Sequence, residues 1–417
     1  MHPLTKFLGA RSPLGEHLGA DFIAGLTTAI LLVPQAMAYA QLAGLPPVVG
    51  LYASTVPLVV YALIGTSRVM AVGPVALISL MTASALAPYA DLETSQILTI
   101  AASLAVTVGV IQLGLGLLKI DMLTRLLTRP VLTGFTSAAA ILIGLSQLPP
   151  LVGVEVLSWP TDWHIPTLVI GLFAVTALFA LRKLHPAIPA ALLVIVVATL
   201  AVVFLNLDAA DVAIVGEVPA GLPVPSIPFV ETSIIIELLP SAFAIALVGY
   251  LESFAVARAL ARSTGGDIDA NREWTGVGAA NIASGAVGGY PIAGGFSRSA
   301  VNHRAGARTR LAGVITALLV VAALLVLTPL FTYMPEAALA AIILVAVSGL
   351  LHVGDWKKLA GAGPHPLAVT TITFGATLIF DIEIGLLVGI GAGFAIRYLS
   401  DDYDGDVSDE TQTTQQT

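Results

Sequence analysis

Three polar side chains and two broken hydrophobic stretches carry what chemistry this sequence can do. Arg298 lies in Tyr290-Pro291-Ile292-Ala293-Gly294-Gly295-Phe296-Ser297-Arg298-Ser299-Ala300-Val301-Asn302, inside surroundings that read as membrane. The stretch is too short, and too interrupted by Gly and Pro, to be one full spanning helix. Extended from Tyr290 to Phe296 it covers about 20 Å at ~3.3 Å per residue. A helix of about ten residues from Ser297 adds roughly 15 Å. Together they span a hydrocarbon core of ~30 Å, with the strand-to-helix junction near its middle. Arg298 then sits near mid-depth beside the free N–H groups of a half-helix, and both attract an anion.

Ala71-Val72-Gly73-Pro74-Val75-Ala76 has the same character. From Arg68, about five extended residues reach mid-depth, where Pro74 suits the first turn of a second half-helix. The two half-helices start from opposite faces and point their N-termini at one another. Non-helical backbone at that depth is tolerated only where it lines a cavity or is buried in protein, so a binding site is expected there. Two more polar groups belong to long apolar runs. Pro34 lacks an N–H and frees the Ile30 carbonyl, and Gln35 follows it near mid-depth. Glu252 stands well inside another run, where an ionisable group is costly and calls for a partner or a proton. Arg298 is the expected partner.

The elements that position these groups are membrane helices. Of 417 residues, 57% are hydrophobic and 11% charged, which excludes a soluble domain. With no cysteine, disulfides and thiolate metal sites are excluded. Apolar runs predict about fourteen crossings. They lie near 21–44, 49–65, 69–88, 96–118, 129–148, 164–181, 186–206, 234–257, 274–289, 290–306, 311–333, 336–352, 365–380 and 383–399. The third and tenth are the short, weak ones. With the N-terminus inside, every Lys and Arg except Arg298 falls on the inner face, and the 206–233 connection outside carries only Asp208, Asp211, Glu217 and Glu231. Fourteen crossings divide into seven plus seven, an inverted repeat. Residues 1–20 read as a cytoplasmic interfacial segment without a secretory leader, and 400–417 as a disordered, acidic cytoplasmic tail.

Other features have plainer explanations. Gly385, Gly389 and Gly393 form a small-residue stripe suited to helix packing. His303, His352 and His365 show no metal-ligand spacing. Gly295-Phe296-Ser297-Arg298-Ser299 resembles a nucleophile elbow but lacks the final glycine and a His–Asp pair. No enzyme, metal, cofactor or nucleic-acid partner is expected.

Val33-Pro34-Gln35-Ala36-Met37-Ala38-Tyr39-Ala40, then Gly44-Leu45-Pro46-Pro47-Val48-Val49-Gly50-Leu51-Tyr52-Ala53-Ser54 and Gly65-Thr66-Ser67-Arg68, resemble the sulfate permease (SulP) family of anion transporters, whose animal relatives include prestin. Gly73-Pro74 with Ile78-Ser79-Leu80-Met81, Glu252-Ser253 and Ser297-Arg298-Ser299 continue the match. The resemblance implies a core bundle, about 21–118 and 234–333, and a gate bundle, about 119–206 and 336–399. It also implies an anion site between crossings three and ten, lined by Gln35, Tyr39, Val75, Ala76, Ser297 and Arg298, with Glu252 beside it. The resemblance implies that members usually carry a cytoplasmic STAS domain after the last crossing; here only the 400–417 tail stands there, as expected of either a truncated chain or a STAS-free variant.

The expected function is secondary active transport of a small anion: a C4-dicarboxylate such as fumarate, sulfate or bicarbonate. Symport with protons through Glu252 and elevator-type alternating access are expected, in a plasma (bacterial inner) membrane, with a homodimer implied by the family. Protons are favoured over sodium, since a bare ion wants several oxygens and only Glu252, Gln35 and freed carbonyls such as that of Ile30 offer them. The rivals are an anion channel, a sodium-coupled anion symporter and, more remotely, a nucleobase–cation symporter, against which Arg298 speaks.

Overall fold

The computed structural model describes residues 17–118, 128–154, 163–184, 188–219, 221–222, 225–264, 268–351, 353–380 and 382–399. The interfacial segment expected at 1–20, apart from its last residues, and the tail at 400–417 lie outside them, as do Lys6, Arg11, Lys119 and Arg125.

The chain is an all-helical polytopic membrane protein, and each of the fourteen expected crossings holds a helix. The first seven are α1 (Leu18–Leu42), the interrupted pair α2 (Pro47–Tyr52) and α3 (Val56–Ile64), strand β1 (Val72–Gly73) leading α4 (Ala76–Leu86), α5 (Thr94–Leu117), α6 (Arg129–Ser146) with the short α7 (Leu148–Val152), α8 (Ile165–Leu184) and α9 (Ala190–Leu205). The second seven are α10 (Thr232–Thr264), α11 (Ala270–Ala286), strand β2 (Ala293–Gly294) leading α12 (Phe296–Arg304), α13 (Leu311–Val326) with α14 (Thr328–Phe331), α15 (Glu336–Val347) with α16 (Val353–Gly361), α17 (Pro364–Ile379) and α18 (Ile382–Leu399). Among the described residues, seven helical stretches are long and apolar enough to cross a membrane unaided. The third and tenth crossings are not among them, because their helices, α4 and α12, run only 11 and 9 residues.

Local sequence explains these elements. Prolines stand at the first turns of α2 and α3, where a missing N–H costs nothing. A capping box starts α5: the Glu93 side chain accepts from the third backbone N–H, and Gln96 accepts from the Glu93 N–H. Large apolar side chains such as Leu172, Phe173, Val197, Leu318 and Leu325 are exposed, as lipid-facing residues must be. Pro74 departs from expectation. Helix α4 begins at Ala76 with Val75 as N-cap, so Pro74 lies just before the helix rather than in its first turn.

One compact unit draws on Met1–Ile120 and Ser146–Ala346, and a smaller one on Asp121–Leu145 and Val347–Thr417. In the smaller unit α17 packs on α18, and Trp356 donates to the Ser137 hydroxyl at 3.0 Å. In the larger unit α5 and α11 pack closely along their lengths. Gly109, Gly116, Gly278 and Gly285 permit this: a Cβ on Gly285 would stand 2.4 Å from the Ala102 carbonyl oxygen, and one on Gly109 2.6 Å from that of Gly278. Close backbone approach through small residues replaces the hydrophobic drive that lipid cannot supply.

A methyl at Gly285 therefore forces the two backbones apart, a clash costing about 1–3 kcal/mol. Gly285→Ala is expected to lower the melting temperature of detergent-purified protein by several degrees. Gly114→Ala, on the same helix α5 with nothing within 4 Å of its new Cβ, is expected to hold or raise it, because Ala is better than Gly in a helix by ~0.5–1 kcal/mol. Size-exclusion thermal stability of the pair checks the contrast.

Candidate functional site

The two half-helices meet through their leading strands. β1 and β2 are antiparallel, with Val72 opposite Gly294 and Gly73 opposite Ala293. The Gly295 N–H extends the ladder, donating to the Ala71 carbonyl at 3.2 Å. Helix α12 starts immediately afterwards with Gly295 as N-cap, and α4 starts after Val75. Neither N-cap supplies a side-chain hydrogen bond to the helix's first N–H groups. Two positive helix ends whose first N–H groups no cap side chain takes thus flank one short ladder.

Arg298 lies at this junction and is only 2% exposed. Its Nη1 donates to the Pro74 carbonyl at 2.5 Å, across the two repeats. Its Nε and Nη2 are buried and find no hydrogen-bond partner among the described residues. The guanidinium lies against two glycines: a Cβ on Gly295 would stand 2.8 Å from Cζ, and one on Gly73 3.4 Å from Nη2. A buried arginine with two unmet donors is costly, and a bound oxyanion would meet both.

The other expected residues surround it. Helix α1 packs against α4 and α12, and α10 packs against both half-helices and β2. Gln35 and Tyr39 are buried one turn apart on α1, hence on one face. Tyr39 lies within electrostatic reach of Arg298 and Glu252. Val75 and Ala76 are buried at the start of α4, whereas Ser297 is exposed. Glu252, on α10, also lies within the field of Arg298. The expected direct pairing is not made: no ion pair within 4.0 Å joins Glu252 to Arg298, and Glu252 Oε2 has no hydrogen-bond partner among the described residues. The Pro74 carbonyl takes the guanidinium instead. Both charges therefore keep unmet hydrogen-bonding capacity at one place. No group of His, Asp or Glu able to hold a metal ion occurs among the described residues.

A polar scaffold whose role the sequence alone does not reveal holds this junction in place. The Ser299 hydroxyl accepts from the Ala71 N–H at 2.9 Å and donates to the Gly295 carbonyl at 2.7 Å. Ser253, next to Glu252, accepts from the Gly294 N–H at 2.8 Å. Asn281 on α11 reads both polar groups of Ile292, accepting from its N–H at 2.8 Å and donating to its carbonyl at 3.0 Å. It also donates to Gln112, which donates to the Ala246 carbonyl at 3.0 Å. Asn302 donates to the Val69 carbonyl at 2.9 Å, and the Tyr290 and Ser79 hydroxyls share a bond of 2.9 Å. These side chains satisfy the strand backbone that helices would have satisfied internally. The available signal was their polarity within apolar runs, which alone does not distinguish a scaffold residue from a ligand.

Known proteins share this architecture. Residues 18–373 match the model of the Sulfate permease family. Sulfate transporter 4.1, chloroplastic, of Arabidopsis thaliana is 39% identical over 401 residues, covering 91% of this chain and 58% of that protein. A probable sulfate transporter of Mycobacterium tuberculosis is 37% identical over 385 residues, covering 89% of this chain and 69% of that one. This chain thus spans less than two thirds of the length of the Arabidopsis relative. Murine Solute Carrier 26 family member A9, an anion transporter solved in the inward-facing state, matches in structure with a TM-score of 0.88 at 25% identity, over 95% of this chain and 71% of that one.

Because the Gly295 position touches the guanidinium and not distant backbone, Gly295→Ala should displace Arg298 while sparing the fold. Losing one charge-assisted contact of about 1.5 kcal/mol weakens binding roughly tenfold. Calorimetric titration of purified protein with sulfate as probe, beside its melting temperature, checks that affinity falls while stability holds.

Proposed function

The chain belongs to the sulfate permease family, and from that premise we propose that it is a secondary active transporter of a small anion working by alternating access. The observation that carries this reading is Arg298: buried at the meeting of two uncapped half-helices, anchored through Nη1, with Nε and Nη2 unpartnered. An anion seated there would accept from these donors and from the backbone N–H groups at Val75–Ala76 and Ser297–Arg298. The Ser297 hydroxyl would add a donor, and Gln35 and Tyr39 would orient the substrate. Such preorganised dipoles replace a water shell without reorganising, which lets a doubly charged oxyanion lose its hydration at mid-depth. Sulfate is the first candidate, since relatives at 37% and 39% identity are named as a probable sulfate transporter and a sulfate transporter. Bicarbonate and C4-dicarboxylates such as fumarate make the same demands.

Proton coupling follows from Glu252. Its unpartnered oxygen lies in the field of Arg298. A bound anion offsets part of that field and adds its own negative charge, so a full site favours protonation. Linkage is reciprocal, so a protonated Glu252 favours anion binding by the same factor. Anion and proton would then cross together. The elevator reading assigns 21–118 and 234–333 to a moving core that carries the site and 119–206 and 336–399 to a static gate. Sorting of Lys and Arg supports a cytoplasmic side for both termini, and the reading puts the chain in a plasma (bacterial inner) membrane.

Purified full-length protein in liposomes, supplied with labelled sulfate, bicarbonate or fumarate under separate proton and sodium gradients, tests the reading. Arg298→Gln is expected to cut uptake by roughly two orders of magnitude, the scale of about 3 kcal/mol from charged hydrogen bonds, with an unchanged gel-filtration profile. Near-normal uptake by that variant would place the anion elsewhere.

Glu252→Gln fixes the protonated form of the side chain. It should retain anion exchange and lose accumulation driven by an inward proton gradient. Proton-driven accumulation at the wild-type level would leave Glu252 as a helix tie and remove it from coupling.

A further inference from the structure

Two fully buried carboxylates outside the anion site fasten the ends of the half-helices to the opposite repeat. Glu273, in the first turn of α11, is 0% exposed. Its Oε1 accepts from the Thr66 N–H at 2.6 Å, the Ser67 N–H at 3.1 Å and the Thr66 hydroxyl; its Oε2 accepts from the Tyr61 hydroxyl at 2.8 Å. Arg272 Nε donates to the Ile64 carbonyl at 2.8 Å, and Arg310 Nη1 to that of Gly65. Residues 64–67, which lead into β1 and α4, are therefore gripped by side chains of the second repeat. The reverse also holds. Asp21 on α1, also 0% exposed, accepts from the Arg308 N–H at 2.7 Å, the Thr309 N–H at 3.1 Å and the Thr309 hydroxyl at 2.6 Å. Residues 308–309 follow the end of α12 at Arg304.

A buried carboxylate tolerates one arrangement of donors and penalises every other, because an unsatisfied charge in low dielectric is far worse than a lost apolar contact. An apolar seam would allow these loops to slide; these contacts do not. Each also crosses between repeats, the same span that the Arg298–Pro74 bond makes at mid-depth. One half-helix is thus held just before its strand and the other just after its C-terminus. We propose that Asp21 and Glu273 are positioning residues of the anion site: they fix the outlying ends of the two half-helices against the opposite repeat, so that the facing N-termini keep one spacing while the site moves. The proposal rests on the reading of the half-helix junction as the anion site.

The test uses the full cysteine-free chain with spin labels at Ala87→Cys, just past α4, and Arg304→Cys, at the end of α12, both exposed positions. Pulsed electron spin resonance then reads the distance distribution between them, whatever the substrate is. Glu273→Leu removes the acceptor and should at least double the width of that distribution and weaken sulfate binding about tenfold or more. Glu273→Gln keeps an oxygen for Thr66 and Ser67, and the Tyr61 hydroxyl can turn to accept from the amide, so both readouts should return to within twofold of wild type. If Glu273→Leu does not fold, Tyr61→Phe with Thr66→Val removes only hydroxyl donors and should broaden the distribution in the same direction. An unchanged width in the folded variants overturns the positioning role. A narrow wild-type distribution with no binding of sulfate, bicarbonate or fumarate overturns the anion reading and leaves the positioning geometry standing.

Discussion

The whole arrangement depends on one constraint: backbone polar groups left unpaired at mid-membrane depth must find partners inside the protein. Two residue pairs, Val72 with Gly294 and Gly73 with Ala293, meet it for the stretches where both half-helices have yet to begin. The ladder joins chain segments more than two hundred residues apart and fixes where two helix N-termini stand. The proposed anion site in the larger unit is built around that junction. Arg298 bonds to the carbonyl just past β1, and α1 and α10 close over both half-helices.

Burying so much polar backbone demands an equally polar scaffold. Ser253, Asn281, Ser299 and Asn302 each take a specific strand group, and Gln112 supports Asn281 from α5. Within this well-satisfied network the exceptions stand out. Arg298 Nε and Nη2 and Glu252 Oε2 lack partners among the described residues, as does Asn302 Oδ1. Arg298 gives Nη1 to the Pro74 carbonyl much as Arg310 gives Nη1 to that of Gly65, and what marks Arg298 is that both Nε and Nη2 are left over at the half-helix junction. Those two leftover donors, beside two helix N-termini, are the physical case for reading the junction as a binding site rather than a brace.

Packing around the junction is set by the absence of side chains as much as by their presence. Gly50 lets α2 approach so closely that a Cβ would lie 1.9 Å from the Ala36 carbonyl oxygen, on the helix that carries Gln35 and Tyr39. Gly109, Gly278 and Gly285 bring α11, and with it Asn281, against α5 and Gln112. Small residues thus place the polar scaffold within hydrogen-bonding range, which a leucine-rich interface would prevent.

Hydropathy and charge sorting alone determined that the chain is a polytopic helical membrane protein, with the third and tenth crossings broken near mid-depth. Both signals are local and additive: apolar length sets the crossings, and Gly and Pro mark where helices fail. Arg298 was legible for the same reason, as the one basic residue that the charge sorting could not assign to an inner face. Only the tertiary structure decided how these groups pair. It placed Pro74 ahead of α4 instead of in its first turn, and gave Arg298 to the Pro74 carbonyl instead of to Glu252. It also revealed Asp21 and Glu273, which from sequence look like ordinary acidic residues near helix ends, as fully buried links between repeats. Such pairings cannot be read from one sequence, because hydrogen-bond partners are chosen by ångström-scale geometry between segments brought together only when the two inverted halves interlock.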